Sequence, residues 1–325
     1  MGREEKNGDW HQDLVEKLAT DALKERRRSR RWGIFFKLLT FAYLVAVFVV
    51  LVPSEWSKTG MGEEEQHTAV VDLEGLIASG EKASADNVIT GLRDAFEDED
   101  TAAVILRINS PGGSPVQSSY MYKEILRLRE KYPDTALYAV VSDVCASGGY
   151  YVASAADEIY VDESSVIGSI GVLMNGFGFV DAMNEFGVER RLMTAGEHKG
   201  ILDPFSPMSD FDKEHAAELL AGLHETFIES VKAGRGDRLK GADEVLFSGL
   251  FWSGREGIEL GLADAIGSAG YVAREVVGVE EIVDFTAKED PFERLARRFG
   301  AATGEALGRV TAVSYTHLTL PTTSP

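Results

Sequence analysis

The chain is poor in the residues that several common chemistries need. It holds one cysteine, Cys145, among 325 residues, which excludes an intrachain disulfide and a paired-cysteine redox site. The six histidines, at positions 11, 67, 198, 215, 224 and 317, are scattered and lack partners at ligand spacing, so no metal is expected, and nothing points to a cofactor. Cations are outnumbered, 33 Lys and Arg against 53 Asp and Glu, for a net charge of −20. Long apolar runs are scarce too. The exception is residues 33–52, GIFFKLLTFAYLVAVFVVLV, interrupted only by Lys37.

That run reads as a transmembrane helix, with Lys37 near enough to one end to snorkel. The cluster KERRRSRR, Lys24 to Arg31, stands directly before it and by the positive-inside rule keeps the N-terminus in the cytoplasm. A cleaved signal peptide is the competing reading, but the stretch before the apolar run is too long and no Ala-x-Ala site succeeds it. One basic cluster abutting an apolar span is a topology signal and a contact for anionic lipid headgroups, so no nucleic-acid partner is expected. The first 52 residues carry 10 basic and 7 acidic side chains, so the acidity belongs to the remaining 53–325.

The expected organisation is a basic cytoplasmic tail (1–32), the transmembrane helix (33–52), a polar linker (53–67), one catalytic domain (68–288), an amphipathic segment (289–313) and a tail (314–325). The segment before the span, from about Asp9 to Arg31, is helix-prone. Segment 289–313 could lie on a membrane or against a partner. The threonine-rich tail SYTHLTLPTTSP departs from the rest in composition and resembles translated adaptor sequence. Within the domain, the pattern gives strands at Thr68–Gly75, Val104–Ile108 and Leu137–Val141. Helices are expected near Ala85–Glu97, Gln117–Lys131, Tyr150–Ala156 and Asp210–Lys232, and short strands around Ile159 and Ile170. Alternating strands and helices predict an α/β fold with a largely parallel sheet and a site at the strand carboxyl ends.

Two of those strand ends carry chemistry. LYAVVSDVCASGGYY (137–151) runs from an apolar strand into a small-residue turn that holds Ser147, then Gly148 and Gly149. A serine there sits at a helix N-terminus, where free N–H groups can stabilise a developing anion. No Gly-x-Ser-x-Gly elbow surrounds it, which speaks against an ordinary α/β-hydrolase. VILRINSPGGS (104–114) ends in a Pro-Gly-Gly turn whose backbone can approach a substrate carbonyl. Ser110 and Ser114, flanking that turn, read as turn formers rather than nucleophiles. Cys145 reads as a small buried side chain. A base must come from elsewhere, and the candidates are His198 and Lys199 in TAGEHKGILDPFSP (194–207). Successive residues of an extended segment point to opposite sides, so only one of them would face Ser147. The bland readings are that Ser147 and its glycines permit close helix packing, that Lys199 is a solvated loop lysine, and that His215 and His224 are surface or interface residues of their helix.

The set NSPGGS, ASGGYY, SVIGSIGV and GEHKGILDPF, in this order and spacing, resembles the signal peptide peptidase A family of serine–lysine membrane peptidases, in its short single-domain form, over about Thr68 to Phe285. The resemblance implies a crotonase- and Clp-protease-like ββα spiral fold. It implies Ser147 as nucleophile, Lys199 as general base, Gly112, Gly113 and Gly148 as oxyanion-hole donors, and Ser169 as the hydroxyl that orients the lysine. It further implies a ring or dome of subunits in which serine and lysine come from adjacent protomers. A serine hydroxyl is a weak nucleophile until a base takes its proton, and a lysine does so only when neutral, the form that burial favours.

The function expected is a membrane-anchored serine endopeptidase of the bacterial inner membrane, its catalytic domain on the periplasmic or extracytoplasmic side. It would cleave hydrophobic peptides such as remnant signal peptides through an acyl-enzyme. Two rivals stand beside it. One is a crotonase-fold acyl-CoA enzyme, which needs neither the anchor nor Ser147 and Lys199. The other is a catalytically silent membrane scaffold.

Overall fold

The computed structural model describes residue 28 and residues 30–45 and 66–287. Residues 30–45 form a helix with every side chain exposed, among them Phe35, Phe36, Leu38, Leu39 and Phe41. Of the expected span, residues 33–45 are helical. No helix among the described residues is long and apolar enough to cross a membrane. Residues 46–52 of the expected span lie outside the described residues, as do most of the helix-prone segment before it, the 289–313 segment and the 314–325 tail.

The second compact unit, Glu64–Lys288, is built on one sheet. Its strands are β1 (His67–Glu74), β2 (Thr101–Ser110), β3 (Leu137–Ala146), β4 (Glu158–Val161), β5 (Val166–Gly168), β6 (Phe251–Ser253), β7 (Ala265–Ile266) and β8 (Ile282–Asp284). The order is β6-β5-β3-β2-β1-β8, with β4 beside β3 and β7 beside β4. All pairs are parallel except β5 with β6. Parallel neighbours need crossovers, and helices α1 (Ala85–Glu97) and α2 (Pro115–Lys131) supply the first two. The helix after Ser147, α3 (Gly148–Ala153), starts two residues earlier than the sequence suggests.

Period-two alternation sorts the strands between two cores. Ala69, Val71 and Leu73 of β1, with Val104, Leu106 and Ile108 of β2, face the larger core and pack with Leu92, Met121, Ile125 and Leu128 from α1 and α2. Val70, Ile105 and Val140 face the smaller one, closed by Val272 and Ala273. Those two residues open a π-helical turn (Val272–Val277) that comes directly after the short helix Ala269–Tyr271.

Between β5 and the long helix α5 (Asp210–Arg235), the chain leaves the domain. Residues 171–209 form an arm with one short helix, α4 (Val180–Glu185), none of whose residues is buried. The arm holds itself together locally. Phe179 stacks on Phe205 at 5.5 Å, its N–H donates to the Pro204 carbonyl, and Arg190 pairs with Asp203. Yet Leu173, Phe177, Phe186 and Met193 are 76–94% exposed. A capping box of Ser209 and Asp212 opens α5, whose only buried residues, Phe227, Val231 and Arg235, lie in its C-terminal part.

Arg235 locks that end. Its side chain is fully buried, donates to both oxygens of Asp264 at 2.7 and 2.9 Å, and donates twice to the Gly261 carbonyl. Asp264 in turn accepts from the Ile159 N–H at the head of β4. Burial pushes the Asp264 carboxyl up, but the bonds from Arg235 and Ile159 prevail and hold it below its ordinary value. Glu124 on α2, bonded by Arg127 and Arg93, is held at about 2.

Removing one partner of a buried pair strands the other charge, so Asp264→Ala should lower stability by about 3 kcal/mol, read from the urea midpoint. Both carboxyls titrate lower in the folded chain than in the unfolded one. Their stabilisation is therefore complete above the ordinary carboxylate range and is lost as pH falls toward about 2. Unfolding free energy measured from pH 6 to 3 should fall less steeply in Glu124→Gln than in wild type.

Candidate active site

The site grows from an irregularity in β3. Its first half pairs with β4 (Tyr138–Val140 on Glu158–Tyr160) and its second half with β5 (Val144–Ala146 on Val166–Gly168). Against β2 the register jumps between the Ile108–Val141 and Ser110–Cys145 pairs, so β3 bulges there. Asn109 fills the gap, its Oδ1 accepting from the Val144 N–H at 3.3 Å while its Nδ2 donates to Asp143 at 3.0 Å. The bulge re-aims the last residues of β3, and Ser147 comes next with φ 52° and ψ −121°.

Such a conformation is rare for a non-glycine residue and is held by its bonds. The Ser147 N–H donates to the Gly168 carbonyl at 2.8 Å, and its carbonyl accepts from the Tyr151 N–H at 2.9 Å. Its hydroxyl makes no capping bond to α3. Cys145, two residues before, is fully buried, and burial pushes its thiol well up, so it offers no thiolate.

Facing Ser147 is the Pro-Gly-Gly turn. The Ser110 hydroxyl donates to the Gly75 carbonyl and accepts from the Gly112 N–H, while Ser114 caps α2 by accepting from the Gln117 N–H. Both serines are turn formers, as the sequence suggests. Gly112 sits at φ 95°, where a Cβ would stand 2.6 Å from the Gly148 nitrogen and 2.8 Å from the Ser147 Cβ. Gly113, at φ 151°, lies against Ile77, whose carbonyl its Cβ would overlap. Only glycine allows this approach. The N–H groups of Gly113 and Gly148 have no acceptor among the described residues. The Gly113 nitrogen is 3.2 Å from where a Gly148 Cβ would be. Two close, unused donors beside a serine are the makings of an oxyanion hole.

Ser147, Gly112, Gly113, Gly148 and Ser169 all line one cleft of about 920 Å³. Ser169 is itself left-handed, φ 53°, with its N–H donating to the Leu250 carbonyl. Sequence reasoning missed the opposite wall: Val116, Tyr120 and Lys123 of α2, and Leu223, His224 and Phe227 of α5. The 3–4 spacing of those residues was the available signal. His224, read as a surface or interface residue, is partly buried on the cleft wall, its Nε2 3.1 Å from the Ile170 carbonyl.

Lys199 is not in this cleft. It lies exposed in the arm, beside His198, whose ring stacks on Phe211 at 4.1 Å. Within one chain, five of the six expected site residues line the cleft and the sixth stands apart; of the three glycines expected as oxyanion donors, Gly112 has its N–H taken by the Ser110 hydroxyl.

An α/β domain with a strained serine at a strand–helix junction, opposite a Gly-Gly turn with free N–H groups, defines a hydrolase-like site. Residues 130–280 match the model of peptidase family S49. The chain is 42% identical over 219 residues to a protein of Brucella abortus named Na(+)/H(+) antiporter NhaA, covering 66% of this chain and 30% of that one. It is 33% identical over 204 residues to protease 4 of Haemophilus influenzae, covering 62% and 32%. To the chloroplastic serine protease SPPA of Arabidopsis thaliana it is 30% identical over 193 residues, covering 59% and 28%. The chain thus spans about 30% of the length of these relatives. Over residues 130–280 the chain is therefore similar to peptidase family S49, and its relatives include proteins named as proteases.

Gly113→Ala would press a methyl into Ile77 and displace one donor. Loss of one oxyanion donor costs about 10² to 10³ in rate. The variant should therefore lose at least about a hundredfold in peptide hydrolysis while its far-UV circular dichroism stays that of wild type.

Proposed function

We propose that the chain is a serine endopeptidase that cleaves hydrophobic peptides, remnant signal peptides among them, through an acyl-enzyme. The observation that carries this reading is the pairing of the strained Ser147 with the unused N–H groups of Gly113 and Gly148 in one largely apolar cleft. Ser147 Oγ attacks the scissile carbonyl, and the carbonyl oxygen, as it gains charge, is received by the two N–H groups. The proton goes to a base, then to the leaving amine, and water releases the acyl group by the reverse path.

The base in this reading is Lys199, delivered by a neighbouring copy and oriented by Ser169. Support comes from where Lys199 stands: on an arm that leaves its own domain and exposes large apolar side chains beyond what an isolated monomer ordinarily shows. An arm of that kind is stabilised by packing on another subunit. The subunits would assemble as a ring with the ββα spiral architecture of Clp-like proteins. The acyl-CoA rival is disfavoured because it gives no role to Ser147. The basic cluster Lys24–Arg31 ahead of the apolar run supports anchoring in the inner membrane, N-terminus inside and catalytic domain outside.

Subunit mixing tests both residues at once. Ser147→Ala and Lys199→Ala chains, each assembled alone, should lose activity on a leucine-rich fluorogenic peptide by at least about 10³-fold. Co-assembled in equal amounts they should recover a measurable fraction, because some interfaces then pair an intact serine with an intact lysine. A Lys199→Ala chain with full activity would transfer the base to a histidine, His224 on the cleft wall being the first to try. A silent wild type across many peptides would favour the scaffold.

A further inference from the structure

One wall of the cleft carries a charge that the reaction does not use. Helix α2 has four cations. Arg127 pairs with Glu124, Arg129 with Asp157, and Lys131 with Glu97. Lys123, the one that faces the cleft, has no carboxylate or hydrogen-bond partner among the described residues. Its neighbour Glu124 is taken by Arg93 and Arg127.

The cleft around it is free of acids. Among its 22 lining residues there is no Asp or Glu, although 53 of the 325 residues of the chain are acidic. At that frequency a wall of this size would hold about three or four. The arrangement therefore runs against the composition of the protein. In an acidic molecule, the substrate channel presents a single permanent positive charge and no compensating carboxylate. An exposed ammonium on the cleft wall with no internal counter-ion attracts an anionic group from the ligand.

The helix rise sets a scale for where that group would lie. Helix α2 begins at Pro115, two residues after Gly113, so Lys123 is eight residues along it, about 12 Å at 1.5 Å per residue. An extended peptide advances about 3.3 Å per residue. The anionic group should then stand three or four residues from the bond under attack.

We propose that Lys123 forms a carboxylate subsite of the cleft, selecting peptides with an acidic side chain or a free C-terminal carboxylate three to four residues from the scissile bond. This rests on the peptidase reading of the same cleft.

Binding separates the two. The full chain carrying Ser147→Ala, in detergent, is titrated against leucine-rich nonapeptides bearing a neutral fluorophore. A single Glu or Gln is walked along the sequence, and each peptide is made with a free and an amidated C-terminus. The walk distinguishes a side-chain carboxylate from a terminal one. One placement of the charge should bind about fivefold more tightly than its neutral counterpart, the range of a partly exposed ion pair. That preference should vanish in Lys123→Gln, persist in Lys123→Arg, and shrink as salt rises from about 0.05 to 0.5 M. In the active chain the same ratio should appear in KM rather than kcat.

Equal binding of charged and neutral peptides at every placement overturns the subsite, as does a preference that survives in Lys123→Gln. So does a Lys123→Gln chain that falls to a smaller assembly on sizing, which would give the ammonium to a subunit contact, and so does a Ser147→Ala chain that binds none of the peptides. Charge-dependent binding without any cleavage by wild type would leave the subsite standing and refute the peptidase reading. Cleavage with no charge preference would do the reverse.

Discussion

Strand β3 serves two neighbours along one edge, β4 and then β5, and the site depends on the place where it changes from one to the other. A strand that stayed on one partner would run straight past the turn at Gly112. The bulge between Val141 and Cys145, bridged by the Asn109 amide, bends it instead. The bend brings Ser147 under the Gly168 carbonyl and lets α3 start at once, with Gly148 packed so closely on α2 that a Cβ would stand 2.5 Å from the Ser118 hydroxyl. The placement of Ser147 beside the Gly113 and Gly148 N–H groups is thus a product of sheet pairing rather than of a loose loop.

The positions that look expendable in the sequence are then the most constrained. Gly112 and Gly113 bring two stretches of backbone within contact, and the Ser110 hydroxyl bridges Gly75 and Gly112 so that the turn has little freedom. Far from the cleft, Arg235 performs the same service for α5. By pinning the C-terminal end of that helix to Asp264 and Gly261, it holds the wall from which Leu223, His224 and Phe227 face Ser147. The other half of α5 carries little burial and continues into the arm, so one helix joins a fixed part of the molecule to an unpartnered one.

Much of this was legible. Apolar runs with β-branched residues placed β1, β2 and β3 within a few residues, and α1 was located at both ends, because strand and helix periodicities differ sharply over such lengths. Ser147, the glycine turn and Ser169 could be read because small residues directly after an apolar strand mark the tight turns where backbone comes close to backbone. The short strands β6, β7 and β8 were not legible: at two or three residues, they carry no period, and β8 takes its place only by returning to β1 from far along the chain. Nor was the cleft wall, since Tyr120, Lys123 and His224 look like ordinary residues on amphipathic helices until the sheet decides which way each helix faces.

The split pairing of β3 also sets how the site can go wrong. Strand register moves in whole residues, about 3.3 Å at a time, and each step turns every side chain to the other face. A slip by one would take Ser147 off the Gly168 carbonyl and send Val140 and Val141 into each other's cores. There is no half-aligned version to fall into. The sheet acts as a ruler with one mark, so an insertion or deletion in β3 would abolish the site outright rather than degrade it by degrees.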